Sequence, residues 1–114
     1  MDGIPSGLVS YFSILPDPRN RKKNKHRVID IIVIAICAVI CGAEGWEDSE
    51  EYGEAKQEWF KGFLKLPNGI PSHDTFARVF SILDSDAFHK CFFQWAKAMR
   101  QEIRVILLLS MEKH

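Results

Sequence analysis

Residues 28–41 read VIDIIVIAICAVIC, and this stretch constrains the chain more than any other. Apart from Asp30 it is apolar on every side. A helix with one apolar stripe lies on a surface, whereas a helix apolar all round belongs inside a core. The stretches that follow each carry a single stripe, which is the complement such a helix needs. The expected fold is therefore all-α, a small domain of four to five helices around a central apolar helix. After Asp30 the apolar run lasts only to Ala43, too short to cross a bilayer. A basic run, an apolar run and the small pair Gly42-Ala43 do stand in the order of a signal peptide. Against export, the basic run begins only at Arg19, behind Pro5, Pro16 and Pro18, and Asp30 interrupts the apolar part. A cytoplasmic chain with no membrane partner is expected.

At 114 residues the chain is one domain with room for a modest core. Its formal net charge is zero, but the charges are segregated. Arg19, Arg21, Lys22, Lys23, Lys25 and Arg27 precede the apolar helix, and Glu44, Glu47, Asp48, Glu50, Glu51 and Glu54 follow it. Neutrality therefore does not exclude an anionic partner, because a local basic patch can steer one. Cys37, Cys41 and Cys91 are an odd set, with two of them a helical turn apart, which fits a reducing compartment better than a disulfide framework. Cys37 and Cys41 share a helix face and could join a distant His on a metal. Two small buried core residues are the simpler reading.

Leu8, Tyr11, Phe12 and Leu15 have helical spacing, so a short helix is expected over 8–15, stopped by Pro16 and Pro18. The basic segment 19–27 has no apolar periodicity and reads as a solvated loop or arm. The core helix should end at Gly42. Residues 46–64 read as one long helix with Tyr52, Ala55, Trp59, Phe60 and Phe63 as its stripe and a bend at Gly53. The acids in its first turns suit the positive end of the helix dipole. The other reading, a magnesium-binding carboxylate cluster, would need ligands from separate elements. LPNGIP (66–71) is a turn, and Ser72 caps a helix over 72–83 with Phe76, Val79, Phe80 and Leu83 on one face. Asp84-Ser85-Asp86 caps the last helix, striped by Phe88, Cys91, Phe92, Trp95, Met99 and Ile103. Residues 105–109 are a continuous apolar run of no clear type.

Two stretches carry functional signals. GIPSHDTFARVF (69–80) has the form of a recognition helix: a turn, a capped start, polar first-turn residues, then an apolar stripe with an arginine. His73, Asp74, Thr75 and Arg78 would be its exposed face, although any amphipathic helix with a polar cap has the same form. The basic run places six cations within nine residues, enough to neutralise several phosphates. Solvated loops usually mix signs, and this one does not. The candidate DNA-binding residues are Arg19, Arg21, Lys22, Lys23, Lys25, Arg27, His73, Thr75 and Arg78. No Gly-x-Ser-x-Gly elbow or phosphate-binding glycine loop is present, and His26, His73, His89 and His114 are scattered. No catalytic set, metal site or cofactor is implied. Trp46, Trp59 and Trp95 read as core aromatics on helix stripes.

LPDPR (15–19), Lys25-His26 with the apolar helix, CGAEGWEDSEEYGEAK (41–56) and LPNGIPSHDTFARVFSILD (66–84) together resemble the N-terminal region of H-repeat-associated, ISAs-type insertion-sequence transposases. The resemblance runs over about 15–99. It implies a DDE transposase: a helical N-terminal domain, then an RNase H-like domain whose carboxylates bind divalent metal and cut DNA ends. In that family the first catalytic aspartate follows soon after the helical domain, in a motif like Ala-Ile-Asp-Gly-Lys. The corresponding place here reads LLLSMEKH (107–114), without it. With TTG CTA TCG ATG GAA AAA as the codons of 108–113, reading from the third base gives Ala-Ile-Asp-Gly-Lys. That choice of codons leads to the expectation of a frameshift near 102–106 and a division into a helical domain, 1–104, and an aberrant tail, 105–114.

The expected protein is a transposase-derived, DNA-binding accessory domain with no catalysis of its own. Its partners would be DNA, such as insertion-sequence ends, with self-association or an intact transposase as further partners. The alternative is an interaction module that packs on a catalytic domain or second subunit, or an inert remnant whose apolar tail is exposed.

Overall fold

The computed structural model describes residues 3–19 and 25–100, together with Arg104 and Leu108. Among these residues there are six helices and no strand: α1 (Gly3–Phe12), α2 (Val28–Ile40), α3 (Trp46–Ala55), α4 (Gln57–Lys61), α5 (His73–Ile82) and α6 (Ser85–Ala98). The fold is all-α, as the hydrophobic periodicity requires. Of the tail at 105–114 only Leu108 is described, and it is exposed.

α2 is the core. Every residue from Asp30 to Ala38 is buried, so no face of the helix meets water along that length. α1, α3 and α5 all pack on it, and α6 lies on α1. Burying each of Ile31, Ile32, Val33 and Ile34 completely stabilises the fold by roughly 1.5–3 kcal/mol before entropy is counted. Past the helix end, the Ala43 amide bonds to Ala38 O and the Gly42 amide to Val39 O. This pairing needs a left-handed residue at Gly42, where φ is 104°. A glycine adopts that conformation without strain.

The expected long helix over 46–64 is two helices. The interruption falls at Lys56, with φ −108° and ψ 17°, rather than at Gly53. Gly53 serves a different purpose. A Cβ there would sit 2.8 Å from Ile70 Cγ2 and 3.2 Å from Ile34 Cγ2, so the missing side chain is what lets α3 press against α2. Beyond the break Phe60 is fully buried, edge-on to Tyr52 at 6.0 Å. Trp59 is left 43% exposed, so it is a surface ring and not the core aromatic its spacing implied.

α5 begins where Ser72 accepts a hydrogen bond from the Thr75 amide, and α6 where Asp84 accepts one from Ala87. Phe76 and Val79 turn inward from α5, and Cys91 and Trp95 from α6. Trp46, at the start of α3, stacks on Phe80 at 5.0 Å and on Phe76 at 6.1 Å, which ties α3 to α5. Cys37 is buried, and its thiol is pushed up to about 12 chiefly by burial and then by Cys41. Cys41 is exposed, contrary to the expectation that both thiols lie in the core, and its Sγ lies 3.5 Å from Tyr52 Oη.

Candidate nucleic-acid interface

The two arginines that bracket the basic run are each paired with an acid of the same chain. Arg19 grips Asp17 with both arms, Nε to Oδ1 and Nη2 to Oδ2, each at 3.0 Å. Its Nη2 also donates to His26 O at 2.6 Å, and its side chain is only 8% exposed. A bidentate, charge-assisted pair of this kind is among the stronger polar contacts available to a side chain. It ties the two ends of segment 20–24 together. Asn68 adds a second tie, donating from Nδ2 to Lys25 O at 2.6 Å. The LPDPR and LPNG motifs therefore meet at Lys25-His26. Arg21, Lys22 and Lys23 lie outside the described residues.

Arg27 closes the other side. Its Nε and Nη2 reach Asp30 Oδ2 and Oδ1 at 3.1 and 2.6 Å. Asp30 is 1% exposed, the most deeply buried charged side chain among the described residues, and Arg27 is 40% exposed. The carboxylate sits in the first turn of α2, where the helix dipole also favours it. Lys25 is exposed. The basic run thus divides into two structural arginines, an exposed lysine and three cations between the tied ends.

α5 divides as well. The His73 amide and its Nδ1 both meet Glu50 Oε1, at 2.6 and 2.9 Å. Glu50 comes from α3, so it caps a neighbouring helix and locks the two together. The hydrogen bond to Glu50 holds the His73 imidazole above its ordinary value, with Asp74 and Glu47 adding to it. The surroundings of His73 are acidic. Thr75 is half-buried, its hydroxyl 3.2 Å from that of Ser72. Arg78 is exposed, and its guanidinium has no acid partner among the described residues.

Arg19, Lys25, His26, Ile70, Ser72, Thr75 and Arg78 line one cleft of about 430 Å³. Arg19, Lys25 and His26 therefore share the cleft with Thr75 and Arg78 of α5. Thr75 and Arg78, singled out in sequence as one signal, meet Arg19 and Lys25, singled out as another. His73 and Arg27 do not line this cleft. His26 and Ser72 do, and sequence reading assigned neither to the site. The Lys25-His26 adjacency was the only available signal. Burial, then the charge of Arg19, holds the His26 imidazole below its ordinary value; Asp30 opposes this and Lys25 reinforces it. The ring thus feels the cations around the cleft.

No helix among the described residues is long and apolar enough to cross a membrane. A helical module with a basic cleft, built between the Arg19–His26 tie and a capped helix, is the class that fold and site define. The chain belongs to the DDE_Tnp_1-associated family, whose model matches residues 9–96. It is 50% identical over 91 residues to an uncharacterized protein in the dhlA 3′ region of Xanthobacter autotrophicus, covering 79% of this chain and 31% of that one. It is 47% identical over 90 residues to the H repeat-associated putative transposase YhhI of Escherichia coli K12, covering 79% of this chain and 24% of that one. To the inactive transposase YbfQ of the same strain it is 50% identical over 74 residues, 65% of this chain and 88% of YbfQ. The chain spans a third or less of the first two relatives. No solved structure matches it. The protein is transposase-related, as the sequence blocks implied.

Proposed function

We propose that this domain holds DNA for a transposase-type protein and performs no catalysis of its own. The observation that carries the reading is the convergence of Arg19, Lys25, His26 and Arg78, from segments far apart in sequence, on one cleft. Arg21, Lys22 and Lys23 stand in sequence between two residues that line it. A patch of this kind binds by releasing counterions, with log affinity falling by about 0.9 per contacted phosphate for each decade of salt. Two acids near the site serve the fold instead: Asp30 pairs with Arg27 and Glu50 with His73. The test is fluorescence anisotropy of the purified chain with a duplex carrying an insertion-sequence terminal repeat and with a scrambled duplex, at low and moderate salt. Binding that falls steeply with salt and with Lys22→Ala/Lys23→Ala is expected. No binding to either duplex at low salt refutes the reading.

A second reading, an interaction module, is favoured by one feature. An apolar groove of about 230 Å³ runs between Ala35, Ile36, Val39, Trp46, Phe80 and Phe92. Val39 is 60% and Phe92 38% exposed along it. An apolar interface there would be insensitive to salt, which separates the two readings in the same titration.

A further inference from the structure

The cleft permits a finer assignment, which rests on the DNA-binding reading above. We infer that it seats one backbone phosphate of duplex DNA between Arg78 and Lys25, and that His73 anchors α5 instead of reading bases. The start of α5 is not the anion site. Its first amide is already taken by the Glu50 carboxylate, and Glu47 and Asp74 add negative charge around His73. A phosphate approaching there would meet three acids. On the side of Thr75 and Arg78 the balance is reversed. The cleft there is lined by Arg19, Lys25, His26 and Arg78 and by no acid. Arg19 is neutralised by Asp17, while the Lys25 and Arg78 side chains have no acid partner among the described residues. The Ser72 and Thr75 hydroxyls share one hydrogen bond, so one O–H remains to donate to an incoming oxygen. Two exposed cations and a hydroxyl around a basic floor suit a tetrahedral anion, not the flat edge of a base pair. Such a contact positions the protein on DNA and carries no sequence information.

The test measures affinity and salt dependence for Lys25→Ala, Arg78→Ala, Arg78→Lys and His73→Ala, on terminal-repeat and scrambled duplexes, with circular dichroism confirming that each variant is folded. Lys25→Ala and Arg78→Ala should each lower affinity roughly tenfold. The loss should be equal on both duplexes, and the salt slope should fall by about 0.9. Arg78→Lys should retain most of the affinity, since a phosphate accepts a point charge. His73→Ala should leave any preference between the duplexes unchanged. A loss confined to the terminal repeat would make Arg78 a base reader and overturn the inference. Unchanged affinity in Lys25→Ala and Arg78→Ala, while Lys22→Ala/Lys23→Ala still weakens binding, would overturn the cleft assignment and leave the DNA reading standing. Absence of wild-type binding would overturn both.

Discussion

Removing Arg27 tests what holds the central helix in place. Asp30 is 1% exposed, and its only hydrogen bonds among the described residues come from Arg27. Arg27→Ala leaves a buried carboxylate without its ionic partner. Breaking a buried pair from one side costs about 3–5 kcal/mol. The low end applies here, because Arg27 is 40% exposed and its departure admits some water to the carboxylate. A loss of about 3 kcal/mol should lower Tm by 10 °C or more. Asp30→Ala is the informative contrast. It frees an arginine that can turn outward into solvent, and it costs mainly the hydrogen bonds and the favourable dipole contact, about 1–2 kcal/mol. The double variant Arg27→Ala/Asp30→Ala should then be more stable than Arg27→Ala alone, because the second change removes the orphaned charge. Urea denaturation followed by circular dichroism gives all three values, with equal slopes as the check on two-state behaviour. A double variant less stable than Arg27→Ala would refute the reasoning, since the carboxylate would then be stabilising α2 without its arginine.

Two further outcomes follow from the same packing. Gly53→Ala removes a helix-disfavouring residue, worth about 1 kcal/mol in an exposed helix, but puts a methyl group 2.8 Å from Ile70 Cγ2 and 3.2 Å from Ile34 Cγ2. Both are branched side chains in or against the core, so a net loss of roughly 1–2 kcal/mol is expected in urea denaturation, and a gain in stability would show that α3 does not rest on α2 at this point. The His73–Glu50 lock should depend on pH. The hydrogen bond to Glu50 raises His73 above 6.5, so its contribution is full below 6.5 and is lost as pH rises through the raised value. The hydrogen bond from His73 lowers Glu50 below 4.5, so that contribution is present above 4.5 and is lost in stronger acid. The stability difference between wild type and His73→Ala should therefore be largest between about 4.5 and 6.5 and fade above. His26 titrates in the opposite sense, but it is present in both proteins and cancels in the difference. A difference independent of pH from 5 to 9 would show that the charge on the His73 ring adds nothing to the lock.

The parts of this fold that the sequence made legible are those set within a few residues. The apolar run of α2, its glycine end, the Ser72 and Asp84 caps and the inward stripe of Phe76, Val79, Cys91 and Trp95 all follow from local spacing. What was misread depends on partners distant in sequence. Gly53 looks like a weak point in a helix until Ile34 and Ile70 are placed against it. Trp59 fits a stripe only if α3 and α4 are continuous, and the break at Lys56 rotates it outward. The Arg27–Asp30 pair was within reach, since a lone acid in an apolar helix three residues after an arginine satisfies the i,i+3 rule.

The candidate site shows the same division, with a consequence for how basic segments are read. Counting cations credited all six residues of the run to DNA, yet Arg19 and Arg27 spend their hydrogen bonds on Asp17, His26 and Asp30. Their planar forks explain the choice of residue, because a bidentate grip on a carboxylate is what arginine provides and lysine does not. The two inner-facing pairs use arginine, and Lys25, exposed at the rim, is a lysine. The arginines at the two ends of the run are footings of the fold as well as members of a charged segment. Replacing the arginines would loosen the footings and weaken binding indirectly, whereas replacing Lys22 and Lys23 removes charge from the span between them. The lysines are therefore the cleaner probes of DNA contact.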